Sequence, residues 1–263
     1  MNKFILITTM LLLSMACLGQ EKETVSERFH YIYLKPEDKM EQIQKENEER
    51  QRTWQDDFYA MKAGLGDGQR VSDNVKIDVN TAVQQDGDEI NLVVAVSYET
   101  ISLVVDEADD YALGKYAVQH SNACKLMCKF LKTKMEGELA QFLKKGKRVD
   151  VRITGATDGT PIRSKIPYEG EYGDIVNKPI ILNGDPFNMT VTKATGITTN
   201  GQLAFLRTQG VENYMKRMIE PLKQTTNTFQ CIAIENKEKG GGYRRVSVEI
   251  TIHNAFQEDK PSN

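Results

Sequence analysis

Arg148-Val149-Asp150-Val151-Arg152-Ile153-Thr154-Gly155-Ala156-Thr157-Asp158-Gly159 is the stretch on which the fold turns. Val149, Val151 and Ile153 alternate with Asp150, Arg152 and Thr154, the period of two of a strand that buries one face. The strand ends in Gly155 to Gly159, so Asp158 stands just past its C-terminal end, on the rim where α/β sheets place ligand groups.

Upstream, Ala123, Leu126, Met127, Phe130, Leu131, Met135, Leu139, Phe142 and Leu143 keep helical spacing until Gly146, which predicts one long core-facing helix. Downstream, residues 160–198 carry Pro161, Pro167, Pro179 and Pro186 and several glycines, and read as a long loop or small subdomain. A second helix opens near Thr199-Asn200 and runs through Leu203, Arg207, Val211, Tyr214 and Met218. Strands over Phe229 to Ile234 and Arg244 to Ile252 follow, joined by a turn at Gly240-Gly241-Gly242. Elements in this order define an α+β fold: a mixed β-sheet covered by helices on one face, in the order β-α-β-α-β-β.

The chain before these elements divides into two parts. A β-hairpin is expected where Val75, Ile77 and Val79 alternate with polar residues, Asp86-Gly87-Asp88 turns, and Ile90 to Tyr98 resumes the strand pattern; a further β stretch, Ile101 to Val105, follows. Before the hairpin, Glu37 to Met61 reads as a charged helix. Its apolar marks are Met40, Ile43, Trp54, Phe58 and Met61, and none falls between Gln44 and Thr53, so docking is expected only at the Trp54/Phe58 end. At the very start, Lys3, the apolar run Phe4 to Leu13 and the small residues up to Ala16 and Gly19 form a signal peptide, too short for a permanent span. A cut after Gly19 leaves a free chain beginning at Gln20, whereas Ser14-Met15-Ala16-Cys17 as a degenerate lipoprotein box would acylate Cys17.

Composition excludes several classes. A formal net charge of -3 over 263 residues, with no basic block, argues against a nucleic-acid partner. Cys124 and Cys128 lie one helical turn apart without the further ligands of a zinc site, so no metal or cofactor is expected. They and Cys231 read as buried small apolar residues, with a bridge from Cys231 to one of them as the alternative. His30, His120 and His253 have no Ser or Cys elbow nearby, and nothing fixes the separation of Asp158, Glu169, Glu171 and Asp174 as a hydrolase would need; the protein is read as no enzyme.

One charge interrupts an apolar stripe. Steps of four residues drift only about 40° around a helix, so Arg207 faces the core with Leu203 and Val211 and needs compensation there, from a carboxylate of the protein or of a ligand. Asp158 is the expected counterpart, either as a structural ion pair or across a ligand.

Three segments then resemble a known family: Thr157-Asp158-Gly159 after a strand, Asn200-Gly201-Gln202-Leu203-Ala204 with Arg207-Thr208 and Val211, and Arg244-Arg245-Val246-Ser247-Val248-Glu249-Ile250. In this order they resemble the C-terminal domain of the OmpA-like family, over about Glu89 to Asn254. The resemblance implies non-covalent binding of peptidoglycan through the diaminopimelate of its stem peptide, in the periplasm, by a protein soluble or lipid-tethered to the outer membrane. It assigns the ligand ammonium to Asp158, its carboxylate to Arg207, and hydrogen bonds that shape the pocket to Thr157 and Asn200. Ala204 and Thr208 depart from the family pattern, and 160–198 is an insertion. The resulting layout is a signal peptide over 1–19, a polar helical arm over 20–70, the OmpA-like domain over 71–256 and a flexible tail over 257–263. A rival reading keeps the fold without its cell-wall ligand, as an adaptor in an envelope assembly that contacts other proteins through exposed Tyr168 and Tyr172 in 160–198 and through the helix over 37–61.

Overall fold

The computed structural model describes residues 36–66, 71, 73–100 and 111–257. The signal peptide, the β stretch at Ile101 to Val105 and nearly all of the tail lie outside the described residues. The chain divides into Met1–Glu46 and Asn47–Asn263; of the first unit, only the opening turns of helix α1 (Pro36–Ala63) are described.

In the second unit, strands β1 (Val75–Asp86), β2 (Glu89–Thr100), β3 (Arg148–Thr157), β4 (Ile175–Leu182), β5 (Asp185–Val191), β6 (Thr226–Glu235) and β7 (Val246–Ile252) form one mixed sheet in the order β1-β2-β7-β3-β6-β4-β5. β3 and β6 run parallel with Val151 opposite Phe229, and β7 lies antiparallel between β2 and β3, with Val248 opposite both Val96 and Ile153. The alternation read in β3 holds residue by residue. Val149, Val151 and Ile153 are buried with Val248, Ile250 and Ile252 of β7, while Arg152 joins Glu249 in a polar pair on the other face. Helices α2 (Asn122–Glu136) and α3 (Asn200–Met218) cover the apolar face, so the mixed sheet with helices on one face is the observed architecture.

Three expectations change. The 160–198 segment is more than a loop, because β4 and β5 form a hairpin that joins the sheet beside β6 and becomes its far edge. Helix α2 stops at Glu136, not near Gly146: Gly137 leaves helical geometry (φ -95, ψ -105), and the chain goes on in turns that still bury Leu139 and Leu143. Glycine makes the exit cheap, since it disfavours helix by about 1 kcal/mol relative to alanine. Met218, the last residue of the α3 stripe, is 46% exposed.

The docking of α1 also reaches beyond its aromatic end. Trp54 and Phe58 are buried against Phe130, and Trp54 Nε1 donates to Glu138 Oε2 at 2.5 Å just past the α2 break. Within the stretch that lacks apolar residues, Asn47 Nδ2 donates to Thr81 O at 2.8 Å. Polar side chains can anchor a helix where the surface they meet is bare backbone.

The described cysteines are reduced and buried, and they sit apart: Cys124 and Cys128 in the core under α2, Cys231 under α3. Cys231 Sγ donates to Glu212 Oε2 at 3.2 Å, and burial, helped by the Glu212 carboxylate, pushes its thiol up to about 12. Because the thiolate is the nucleophile, Cys231 should resist iodoacetamide at pH 8 in the native protein and alkylate only in denaturant. Native labelling at the rate of an unstructured thiol would show that the α3 layer opens.

Candidate functional site

The site lies where β3 meets the start of α3. A capping box opens α3: the Thr199 side chain accepts from Gln202 N, and the Gln202 side chain answers to the Thr199 backbone. The helix then presses on β3 at Gly155, where a Cβ would stand 2.3 Å from Ala204 O and 2.8 Å from Thr208 Cγ2. Ala204 and Thr208 both fall on this contact. The close approach brings Arg207 beside Ala156, two residues before Asp158.

Asp158 is 5% exposed. Its Oδ2 accepts from Thr160 Oγ1 at 2.7 Å and from Gly240 N at 3.2 Å, which ties the strand end to the glycine turn between β6 and β7. Oδ1 accepts no hydrogen bond from the described residues. Asn200 Nδ2 donates to Asp158 O (3.2 Å) and Thr160 O (3.1 Å), so the first residue of α3 fixes the backbone on both sides of the carboxylate. Thr157 is buried; its hydroxyl donates to Ile234 O at 3.4 Å, and Asn236 Nδ2 donates to its carbonyl at 2.8 Å. Asp158, Thr157 and Asn200 are therefore brought together at one strand end.

Arg207 faces inward as the stripe requires and is fully buried. It does not pair with Asp158. Nη1 donates to Ala156 O at 2.5 Å, Nε and Nη2 both donate to Lys115 O at 3.2 and 3.1 Å, and the guanidinium carbon stands 4.4 Å from the centre of the Tyr111 ring. Among the described residues, carbonyl dipoles and an aromatic face thus meet the guanidinium. The sequence gives no sign of Lys115 or Tyr111 in this role. Gly240 was marked only as a turn, although a glycine-rich turn is a common way to bring a backbone N–H to an anion.

Of the acids weighed for hydrolysis, Glu171 takes the Tyr116 hydroxyl on both oxygens at 2.8 Å, and Asp174 takes Lys193 N at 2.8 Å. The tyrosines of the insertion are not the exposed pair expected. Tyr168 is 3% exposed, donates to Gly173 O and accepts from Tyr172 N, and Tyr172 is half-buried. Their ring faces pack with Tyr116 at centroid distances of 6.1 and 6.3 Å, which removes the observation that favoured an adaptor surface there.

The fold and this strand-end cluster define an α+β domain with a buried, hydrogen-bonded polar cluster at one rim of its sheet. No family model matches the chain, and no curated protein matches it. Among solved structures it is similar to the OmpA-like domain of FopA1 from Francisella tularensis subsp. tularensis SCHU S4, at 12% identity over 72% of this chain and 90% of that one, with a TM-score of 0.29.

Proposed function

We propose that the domain binds peptidoglycan non-covalently through the diaminopimelate of the stem peptide and so holds an envelope protein to the cell wall, facing the periplasm. The observation that carries the reading is the Asp158 carboxylate: one oxygen is fixed by Thr160 and Gly240, and the other accepts no hydrogen bond from the described residues. An ammonium group meets Oδ1 in a charge-assisted hydrogen bond, the stronger class of such bonds. Asn200 and Thr157 hold the backbone that presents it. In this proposal the ligand carboxylate is assigned to Arg207, whose fork matches it in shape. No proton or bond is transferred, and the role is binding without catalysis.

Asp158→Asn is the sharp test because the amide keeps an acceptor for Gly240 N while losing the charge. Losing one charge-assisted bond weakens binding by about tenfold or more. The variant, checked for native circular dichroism, should therefore fall to about a tenth of the wild-type affinity for diaminopimelate-type sacculi in co-sedimentation. Equal retention of the two proteins would refute the assignment.

A further inference from the structure

The two edges of the sheet are finished differently. At β1 the side chains of α1 meet the backbone: Gln55 donates to Ile77 O and accepts from Val79 N. β5 is the opposite edge, and its residues from Asp185 to Asn188 are exposed. The register fixes which of its backbone groups point outward. Asn183-Gly184 is a two-residue turn, so Leu182 and Asp185 exchange hydrogen bonds across it, as do the alternate pairs Ile180 with Phe187 and Lys178 with Met189. Pro186, Asn188 and Thr190 therefore turn theirs away from β4. Pro186 has no N–H to offer, and Thr190 O already accepts from Gln202 Nε2 at 2.9 Å. Among the described residues nothing takes the Pro186 carbonyl, either backbone group of Asn188 or the Thr190 N–H. Past Thr190 the edge closes on itself, since Thr192 N donates to Thr195 Oγ1 and Thr192 O accepts from Gly196 N.

We propose that β5 pairs antiparallel with β5 of a second copy of this chain about a two-fold axis at Asn188, joining two seven-stranded sheets into one. In that register Asn188 faces Asn188 of the second copy, and the two exchange both of their bonds. Pro186 faces Thr190 of the second copy, whose N–H donates to the Pro186 carbonyl. The return bond, from proline to the Thr190 carbonyl, cannot form and is not needed, because Gln202 fills that acceptor. The donor each strand lacks is thus the one its copy does not require, and this match selects a second copy over an unrelated strand. Phe187, 46% exposed, comes to stand opposite Met189 of the second copy, and apolar cross-strand pairs stabilise a sheet. Asp185 meets Val191, so no like charges oppose each other. An isologous contact closes at two copies, and α1 along β1 keeps the joined sheet from growing at its outer edges. A pairing this short is smaller than a stable interface, so dimer and monomer exchange and their populations follow concentration. The inference is independent of the cell-wall reading.

Sedimentation velocity of the full chain at rising concentration should show the monomer giving way to a species of twice its mass, and nothing heavier. Asn188→Pro tests the axis. The N–H at this position faces away from β4 and proline is tolerated at an edge, so circular dichroism should stay native. Both hydrogen bonds at the axis are lost, and the dimer dissociation constant should rise by about tenfold or more. Asn188→Cys tests the register by a gain. Residues of a hydrogen-bonded antiparallel pair stand about 5.5 Å apart at Cα, within disulfide reach. Diamide, which takes up the two electrons and two protons that the thiols release, should therefore link the two copies well above the level of the unchanged chain. Asp185→Cys, three places from the axis, should not exceed that level. A chain that stays monomeric at every concentration and is not linked through Asn188→Cys would overturn the inference. So would Asn188→Pro dimerising as the wild type does, equal linking of both cysteine variants, or a series of species that continues past the dimer.

Discussion

Arg207→Ala should lower the unfolding free energy by about 4 kcal/mol or more, enough to unfold a domain of ordinary stability, whose total is only about 5–15 kcal/mol. The guanidinium is fully buried, and it satisfies the carbonyls of Ala156 and Lys115 while lying over the Tyr111 ring. Alanine leaves both oxygens unsatisfied at about 1–3 kcal/mol each and adds a cavity. Lysine keeps the charge but presents a compact ammonium that cannot reproduce the planar fork; Arg207→Lys should fall between the two, near half the loss. Urea midpoints at constant m-value measure both. A change under about 1 kcal/mol for alanine would mean that water replaces the guanidinium without cost and that the site is open. The result bears on function: a binding defect in Arg207→Ala reports folding before it reports ligand contact, and for that reason the binding test above uses Asp158→Asn.

That Arg207 could be singled out before its surroundings were known follows from geometry. A position four residues from Leu203 and four from Val211 has to share their side of α3, and all three are buried. The strand β3 was legible for a similar reason, since period two and one buried face determine each other. The carbonyl contacts of Arg207 were not legible, because backbone carbonyls carry no signature in side-chain sequence and Tyr111 to Ala117 has no period. The β4–β5 hairpin escaped because Pro179 and Pro186 read as breakers, yet both lie in the hairpin at the sheet edge, where proline is tolerated. The signal that would have found it is Asn183-Gly184, both at positive φ (53 and 97) between two β-prone runs, as a two-residue hairpin turn requires. In α2, the apolar spacing persisted through Leu139 and Leu143, because turns after Gly137 return the same residues to the core.

The polar stretch of α1 hides the opposite case, a contact made without apolar residues, and the second large effect comes from breaking it. β1 is an edge strand whose outward backbone groups would otherwise template a foreign strand. Instead α1 lies along it: Asn47 donates to Thr81 O, Gln55 donates to Ile77 O and accepts from Val79 N, and Lys62 donates to Val75 O. The Gln55 amide offers its donor and acceptor to alternate residues of the edge, as the peptide groups of a neighbouring strand would. The lengths agree, about 22 Å of helix from Asn47 to Lys62 against about 20 Å of strand from Val75 to Thr81. Amide and ammonium groups match an edge that leucines could not satisfy, which is why this face of the helix is polar. Its grip comes from Trp54, buried on Phe130, hydrogen-bonded to Glu138 and 5.1 Å from Lys134 Nζ, which also pairs with Asp57 and Glu138. Trp54→Ala should cost about 3–5 kcal/mol. With α1 loosened, the bared β1 edge should drive self-association, seen in sedimentation velocity as species heavier than the wild type that grow with concentration. Gln55→Ala isolates the edge effect, because it leaves the Trp54 anchor in place and uncovers Ile77 O and Val79 N; it should associate more weakly than Trp54→Ala but more than wild type. Both variants sedimenting as the wild type does at every concentration would show that the β1 edge needs no guard.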